Sequence, residues 1–345
     1  MGRSSVPPSL DSLVPRISRG SRISLDVSTR AVPPVAGGER RSRRRGLTAV
    51  AGVLMLCTAG LASAVPAQAL PAQAPAASGS GPLYVSDYTD GTVLELPGHG
   101  GAQTTVPTTG LTRPTGMTLD ASGNLYISDT GNNRVVEVPA DGGPQITVPT
   151  TDLSRPIGLA LDSAGDLYIA DSFNDRVVKV PAGGGPQTVV PTAGLLHPDG
   201  LALDSAGNLF VADFVNDRVV EVPADGGPQT TVPTTGLSQP TGLTFDACGN
   251  LYIADSANDR VVEVPADGGP QATVPVTGLS GPQGLAFDAA GDLYVADFSH
   301  DRVVELPAHG GTQTTVPFTG LTTPVGLATP PLHAAHTYGA PSCGW

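Results

Sequence analysis

Between residues 83 and 329 one arrangement of apolar and polar positions returns every 42 residues. Residues 242–275 show the unit: "GLTFD" (242–246), "NLYIAD" (250–255), "RVVEV" (260–264) and "QATVP" (271–275) are its apolar stretches. Each alternates or carries β-branched residues, as a half-buried strand does. Between them lie "DACGN", "SAND" and "PADGGP", clusters of Gly, Asn, Asp and Pro of hairpin-turn length. No part of the unit follows a 3.6-residue apolar period for ten residues, so the pattern predicts four antiparallel strands, a to d, and no helix. Asp87, Asp129, Asp171, Asp213, Asp255 and Asp297 close successive strands b, and the period never slips. A strict repeat of this length belongs to solenoids and propellers.

The ends of the repeat decide between those two. The first unit begins at strand b, "GPLYVSD", and the missing strand a, "PVGLAT", comes at 324–329. An open stack has no use for that offset, whereas a ring needs it, because the last strand completes the first blade and removes the open edges. The expectation is an all-β, six-bladed β-propeller of four-stranded antiparallel blades, closed by the C-terminal strand. Each blade repeats because it packs on a neighbour like itself.

The motif P-x-G-L-A-x-D, followed by G-N-L-Y-I-A-D and N-D-R-V-V, resembles the NHL repeat, and the resemblance covers roughly 83–329. In style it is similar to the extracellular sensor propellers of mycobacterial receptor Ser/Thr kinases. No kinase motif is present, so only the sensor half of that likeness applies. Propellers of this kind include ligand sensors, interaction modules, RNA binders and a few lyases, so the resemblance specifies the fold and leaves the function to the site.

The flanks read as targeting and spacing. Residues 1–46 hold ten Arg, the run "LTAVAGVLMLCTAGLA" follows at 47–62, and "ASA" and "AQA" offer small-x-small cleavage positions, so 1–69 is expected to be an export signal with a long basic start. Residues 70–82 form a Pro, Ala and Ser linker and 330–345 a tail. The protein is expected to be secreted or envelope-associated, with no membrane span in the mature chain. Without 1–69, Lys plus Arg falls from 18 to 8 and Asp plus Glu from 31 to 28, a net charge of about −20. Such a surface repels phosphate backbones, which argues against nucleic acid as a partner. Cys248 and Cys343 remain, and an oxidising compartment permits one disulfide between them; two unpaired thiols is the open alternative.

Whatever recurs in every blade is architecture. Asp129 and Arg134, Asp171 and Arg176, Asp213 and Arg218, Asp255 and Arg260, and Asp297 and Arg302 are each five residues apart, facing one another across a hairpin for a charge-assisted bond. Asp120, Asp162, Asp204, Asp246 and Asp288 open turns in which Asp caps its own backbone. Function is then sought where blades differ, in the d–a and b–c loops, which emerge together at one mouth of the channel. These loops supply the candidate rim: Tyr88, Arg113, Arg155, Phe173, His197, Asp199, Phe214, Phe298 and His300. Loop-tip aromatics are good anchors for a peptide or sugar face. Beyond residue 69, Arg113, Arg155 and Lys179 are the cations outside the Arg series.

The expected function is recognition of an extracellular or envelope protein, peptide or glycan by a monomer, with no cofactor, metal or catalytic residue assigned. One alternative is a metal-dependent lyase or lactonase using His197 and Asp199. Such propellers hold a metal through several channel-lining side chains, and no recognisable set is present. Another is a structural cell-envelope protein, favoured by how little the blades differ.

Overall fold

Strand b of each blade is flanked by blades on both of its faces, which is why "LYIAD" and "LFVAD" carry apolar or small residues at every position before the closing Asp rather than at alternate ones. The computed structural model describes residues 81–98, 101–308 and 310–331. They form six four-stranded antiparallel sheets in the order a–b–c–d. In blade 4 these are Pro198–Leu203, Leu209–Asp213, Arg218–Val222 and Thr230–Thr231. Blade 1 takes its strand a from the far end of the propeller: Pro324–Ala328 pairs with Leu83–Asp87 in the register Tyr84 to Ala328 and Asp87 to Pro324. The ring is closed, and the chain is a six-bladed β-propeller.

The core lies between blades. Val177 and Ala170 of blade 3 pack with Leu201, Val211 and Val220 of blade 4, and five similar clusters complete the circle. The seam is no exception, since Leu83, Val85 and Leu327 pack against Ala296 and Val303 of blade 6. Each fully buried Val, Leu or Ile contributes about 1.5–3 kcal/mol. The innermost strands adjoin around the central channel. They come so close that a Cβ on Gly116, Gly158, Gly200, Gly242, Gly284 or Gly326 would run into the backbone of the next blade, Gly326 meeting Thr115 across the seam. The Gly of P-x-G is there for that approach.

Two features differ from the pattern read in the sequence. Strand d is only two residues long, Ala272–Thr273 in blade 5 where five residues read as strand. Val274 still donates its N–H to the Val261 carbonyl at 3.0 Å, but Pro275 has no N–H and the ladder stops. Short outer edges also discourage pairing with other chains. Secondly, the b–c connections of blades 2 to 6 each contain one turn of 3-10 helix, such as Phe214–Asn216, ended by a residue in the left-handed region, Asp217 at φ 53°. Three residues are too few to show a period.

The expected export signal of 1–69, nearly all of the expected linker, the tail beyond Pro331 and Cys343 lie outside the described residues. Cys248 is disulfide-bonded, with its partner outside them too. Among the described residues no helix is long and apolar enough to cross a membrane.

Candidate ligand-binding face

Five residues separate the Asp ending strand b from the Arg opening strand c, which puts the pair on one rung of the hairpin, Asp213 opposite Arg218. The Asp213 carboxylate is fully buried and accepts from Arg218 Nε at 2.7 Å, Asn216 Nδ2 at 2.8 Å and the Leu196 N–H at 2.7 Å. Arg218 also donates to the Gly194 carbonyl at 3.0 Å. One carboxylate therefore holds the b–c hairpin and the incoming d–a loop together, with charge-assisted bonds that offset its burial. The same arrangement joins Arg134 to Asp129, Arg176 to Asp171, Arg260 to Asp255 and Arg302 to Asp297, at 2.6–2.7 Å. In blade 6 His300 stands in the Asn position, its Nδ1 2.9 Å from Asp297 Oδ2. Blade 1 has no Arg, and Thr322 supplies its N–H to Asp87 at 2.7 Å and its hydroxyl at 2.8 Å. Burial works to raise the Asp87 carboxyl, yet the Thr322, Asp90 and Thr323 donors hold it below the usual carboxylate range.

These anchors bring the d–a and b–c loops onto one face. Val215 donates its N–H to the Leu196 carbonyl at 3.2 Å, and Phe173 to that of Ser154 at 3.1 Å. Neighbouring blades are tied by the left-handed residues, the His197 N–H donating to Asp175 Oδ1 at 2.8 Å. On this framework the Phe173 ring lies between two rim groups. The Arg155 guanidinium is 4.9 Å from its centroid and the His197 ring 4.8 Å, tilted by 57°. Arg113 lies 5.7 Å from the Tyr88 ring. Phe214 and Phe298 are half-buried on the same face and join neither arrangement.

Leu196 and Val215 are 42% and 43% exposed beside this stack, and sequence reasoning missed both. The signal was present: the position of Leu196 is Thr112, Ser154, Ser238, Ser280 and Thr322 in the other blades. Only comparison of that one rung around the ring reveals the break.

The channel mouth below the rim is lined by the x-G-L positions of the innermost strands, among them Ile157, Gly158, Asp199, Gly200 and Gln283. Among the described residues, Asp199 is the only ionisable one on it. It keeps some accessible surface because it lines the channel, but protein surrounds its carboxyl closely, and desolvation pushes it up to about 7. No hydrogen bond or ion pair to it exists among the described residues. Its counterparts are all satisfied or apolar. Thr241 donates to the Pro282 carbonyl at 3.1 Å, Gln283 to Ser256 Oγ at 3.0 Å, and Thr115 shares 2.7 Å with the Thr130 hydroxyl. His197 has a buried Nδ1 likewise without a partner among the described residues.

The structure does not gather the other candidates there. Lys179 is taken up by Asp162 at 3.1 Å and Asp166 at 2.8 Å in an a–b turn, away from Arg113 and Arg155. Within the described residues no three His, Cys, Asp or Glu side chains converge as a metal site would require. The Asp120 series caps turns, Asp204 accepting the Ala206 and Asn208 N–H groups at 2.9 and 2.8 Å. The Gln that ends "PADGGPQ" proves to be a latch: Gln229 accepts from the Ala193 N–H at 3.0 Å and donates to its carbonyl at 3.2 Å. All six blades have one, and Gln103 binds Thr319 across the seam.

The chain is a closed six-bladed β-propeller in which two segments match the NHL repeat. The NHL repeat profile matches residues 111–137 and 279–306, and the profile described as SMP-30/Gluconolactonase/LRE-like region matches 140–253. No curated protein matches the chain in sequence. Among solved structures it is similar to a chain of a nidogen/laminin complex, with TM-score 0.65, 23% identity and coverage of 72% of this chain and 98% of that one. A streptogramin B lyase gives TM-score 0.53 and 18% identity over 72% and 87%. Virginiamycin B lyase from Staphylococcus aureus gives 0.54 and 17% over 73% and 89%. At these identities the likeness is one of fold.

Proposed function

We propose that the chain is an exported recognition propeller that docks a protein or peptide on the face built by its d–a and b–c loops, centred on blades 3 and 4. The observation that carries this reading is the apolar seat made by Leu196, Val215 and the Phe173 stack, with Leu196 standing where the other blades place Thr or Ser. Aromatic anchors held rigid before contact lose little entropy on binding. The disulfide at Cys248 supports an oxidising compartment. The likeness to a chain found in a nidogen/laminin complex is compatible with a protein ligand.

The test is capture of envelope proteins, peptides and glycans by the wild-type protein and by a Phe173→Ala, Leu196→Ser, Val215→Ser variant. The expected result is a specific protein or peptide partner that the variant loses. Undiminished capture by the variant, or capture of glycan alone, refutes the reading.

A further inference from the structure

The channel mouth contains one side chain that the propeller itself does not explain. Five of the six x positions in P-x-G-L are hydroxyl, amide or apolar side chains suited to the gap between blades, and the sixth, Asp199, is a carboxyl with nothing to bond. The flanking innermost strands, Pro156–Leu161 and Pro240–Phe245, carry no ionisable group, and Asp213 on the adjoining strand is already neutralised by Arg218. A carboxylate in such surroundings exerts a field that little water screens, so a cation brought to it gains more than at the surface. One carboxylate without companion ligands is a poor metal site but suits an ammonium group on an apolar stem.

We propose that the channel mouth is a socket for a lysine side chain of the docked partner, which passes the Phe173 and His197 rings and pairs its ammonium group with Asp199. The inference rests on the docking face proposed above and assigns its partner a chemistry. Two further observations favour a polypeptide over a free amine. Leu196 and Val215 provide an apolar seat for residues flanking the lysine. Asp152, Asp175 and Asp217 are exposed around the same rim and complement a basic segment.

The probes are acetyl-Ala-Lys-Ala-amide and its norleucine and glutamate counterparts, titrated calorimetrically into the full chain. The lysine peptide is expected to bind roughly tenfold or more tightly than the norleucine peptide, the discrimination of a charged hydrogen-bonded pair. Asp199→Asn removes the charge at constant shape, and Asp199→Thr installs the residue found at Thr115 and Thr241, so a blade-compatible variant is at hand. Both are expected to abolish the preference while keeping the wild-type circular dichroism spectrum. Absence of a lysine preference in the wild type, or its survival in either variant, overturns the socket. Phe173→Ala with Leu196→Ser should weaken both peptides alike and leave the preference intact. Loss of partner capture in those rim variants without any lysine preference would sink the socket alone, whereas undiminished capture would sink the docking face itself.

Discussion

Replacing Asp199 by Asn should make the propeller more stable at neutral and alkaline pH, and the gain should fade in acid. The folded protein holds the Asp199 proton up to about pH 7, whereas an unfolded chain gives it up near the ordinary value of 3.8. Between those values the native state binds more protons than the unfolded state, so wild-type stability falls as pH rises through the window and levels off above it. Moving a carboxyl over that range is worth about 4 kcal/mol if the site were fully dry. The open channel mouth lets water relax part of the penalty, and about 2 kcal/mol is the expected effect.

Urea unfolding of wild type and Asp199→Asn, followed by far-ultraviolet circular dichroism at about pH 4.5 and about pH 8.5, measures it, because every other titrating group contributes equally to both proteins. The variant should gain about 2 kcal/mol on the wild type between the two conditions. Parallel pH profiles would mean that Asp199 has an ordinary carboxyl, and the socket would lose its field.

Three further outcomes test the ring. Gly200→Ala should cost about 3 kcal/mol or prevent folding, since its Cβ meets the Thr241 carbonyl; an unchanged thermal midpoint would refute the close approach. Asp87→Asn should cost about 2 kcal/mol at neutral pH by weakening the closure. Because Asp87 titrates below its unfolded value, wild-type stability from this group is present above about pH 4 and lost as pH falls, so the difference between the two proteins should shrink toward pH 2 in denaturant titrations. Gln229→Ala should lower stability by about 1–2 kcal/mol, read by the same titration, because it removes both bonds that latch blade 4 to the Ala193 backbone; no loss would show the latch to be incidental.

The fold is legible in the sequence because a propeller is built from local hairpins, and hairpins write their strands and turns into adjacent residues. Closure is legible as well, since the lone strand a at 324–329 has only one unpaired neighbour to join. Contacts between blades leave weaker traces. Gln229 bonds a backbone 36 residues away, and a backbone N–H carries no letter to mark its partner. The brevity of strand d depends on Pro275 ending a ladder, whereas "QATVP" reads by composition as a strand. On the rim, the place of Phe173 follows from its position after Asp171, but its contact with His197 joins two blades and appears only in three dimensions. The isolation of Asp199 is harder still to read, because it is a statement about every neighbour.

The polar side chains that recur around the ring are occupied inside it: Asp213, Asn216 and Arg218 in the loop anchor, Asp204 in its turn and Gln229 in the latch. What is left over from that framework is what does not recur. Here Leu196, His197, Asp199, Phe214 and Val215 all fall in blade 4, on one face, next to Phe173 of blade 3. They also combine an apolar seat with an unpaired carboxyl, which neither core packing nor ring closure requires. Other departures lie elsewhere on the ring, but only blade 4 sets exposed Leu and Val side chains beside an unpaired carboxyl, the combination from which the docking proposal is argued.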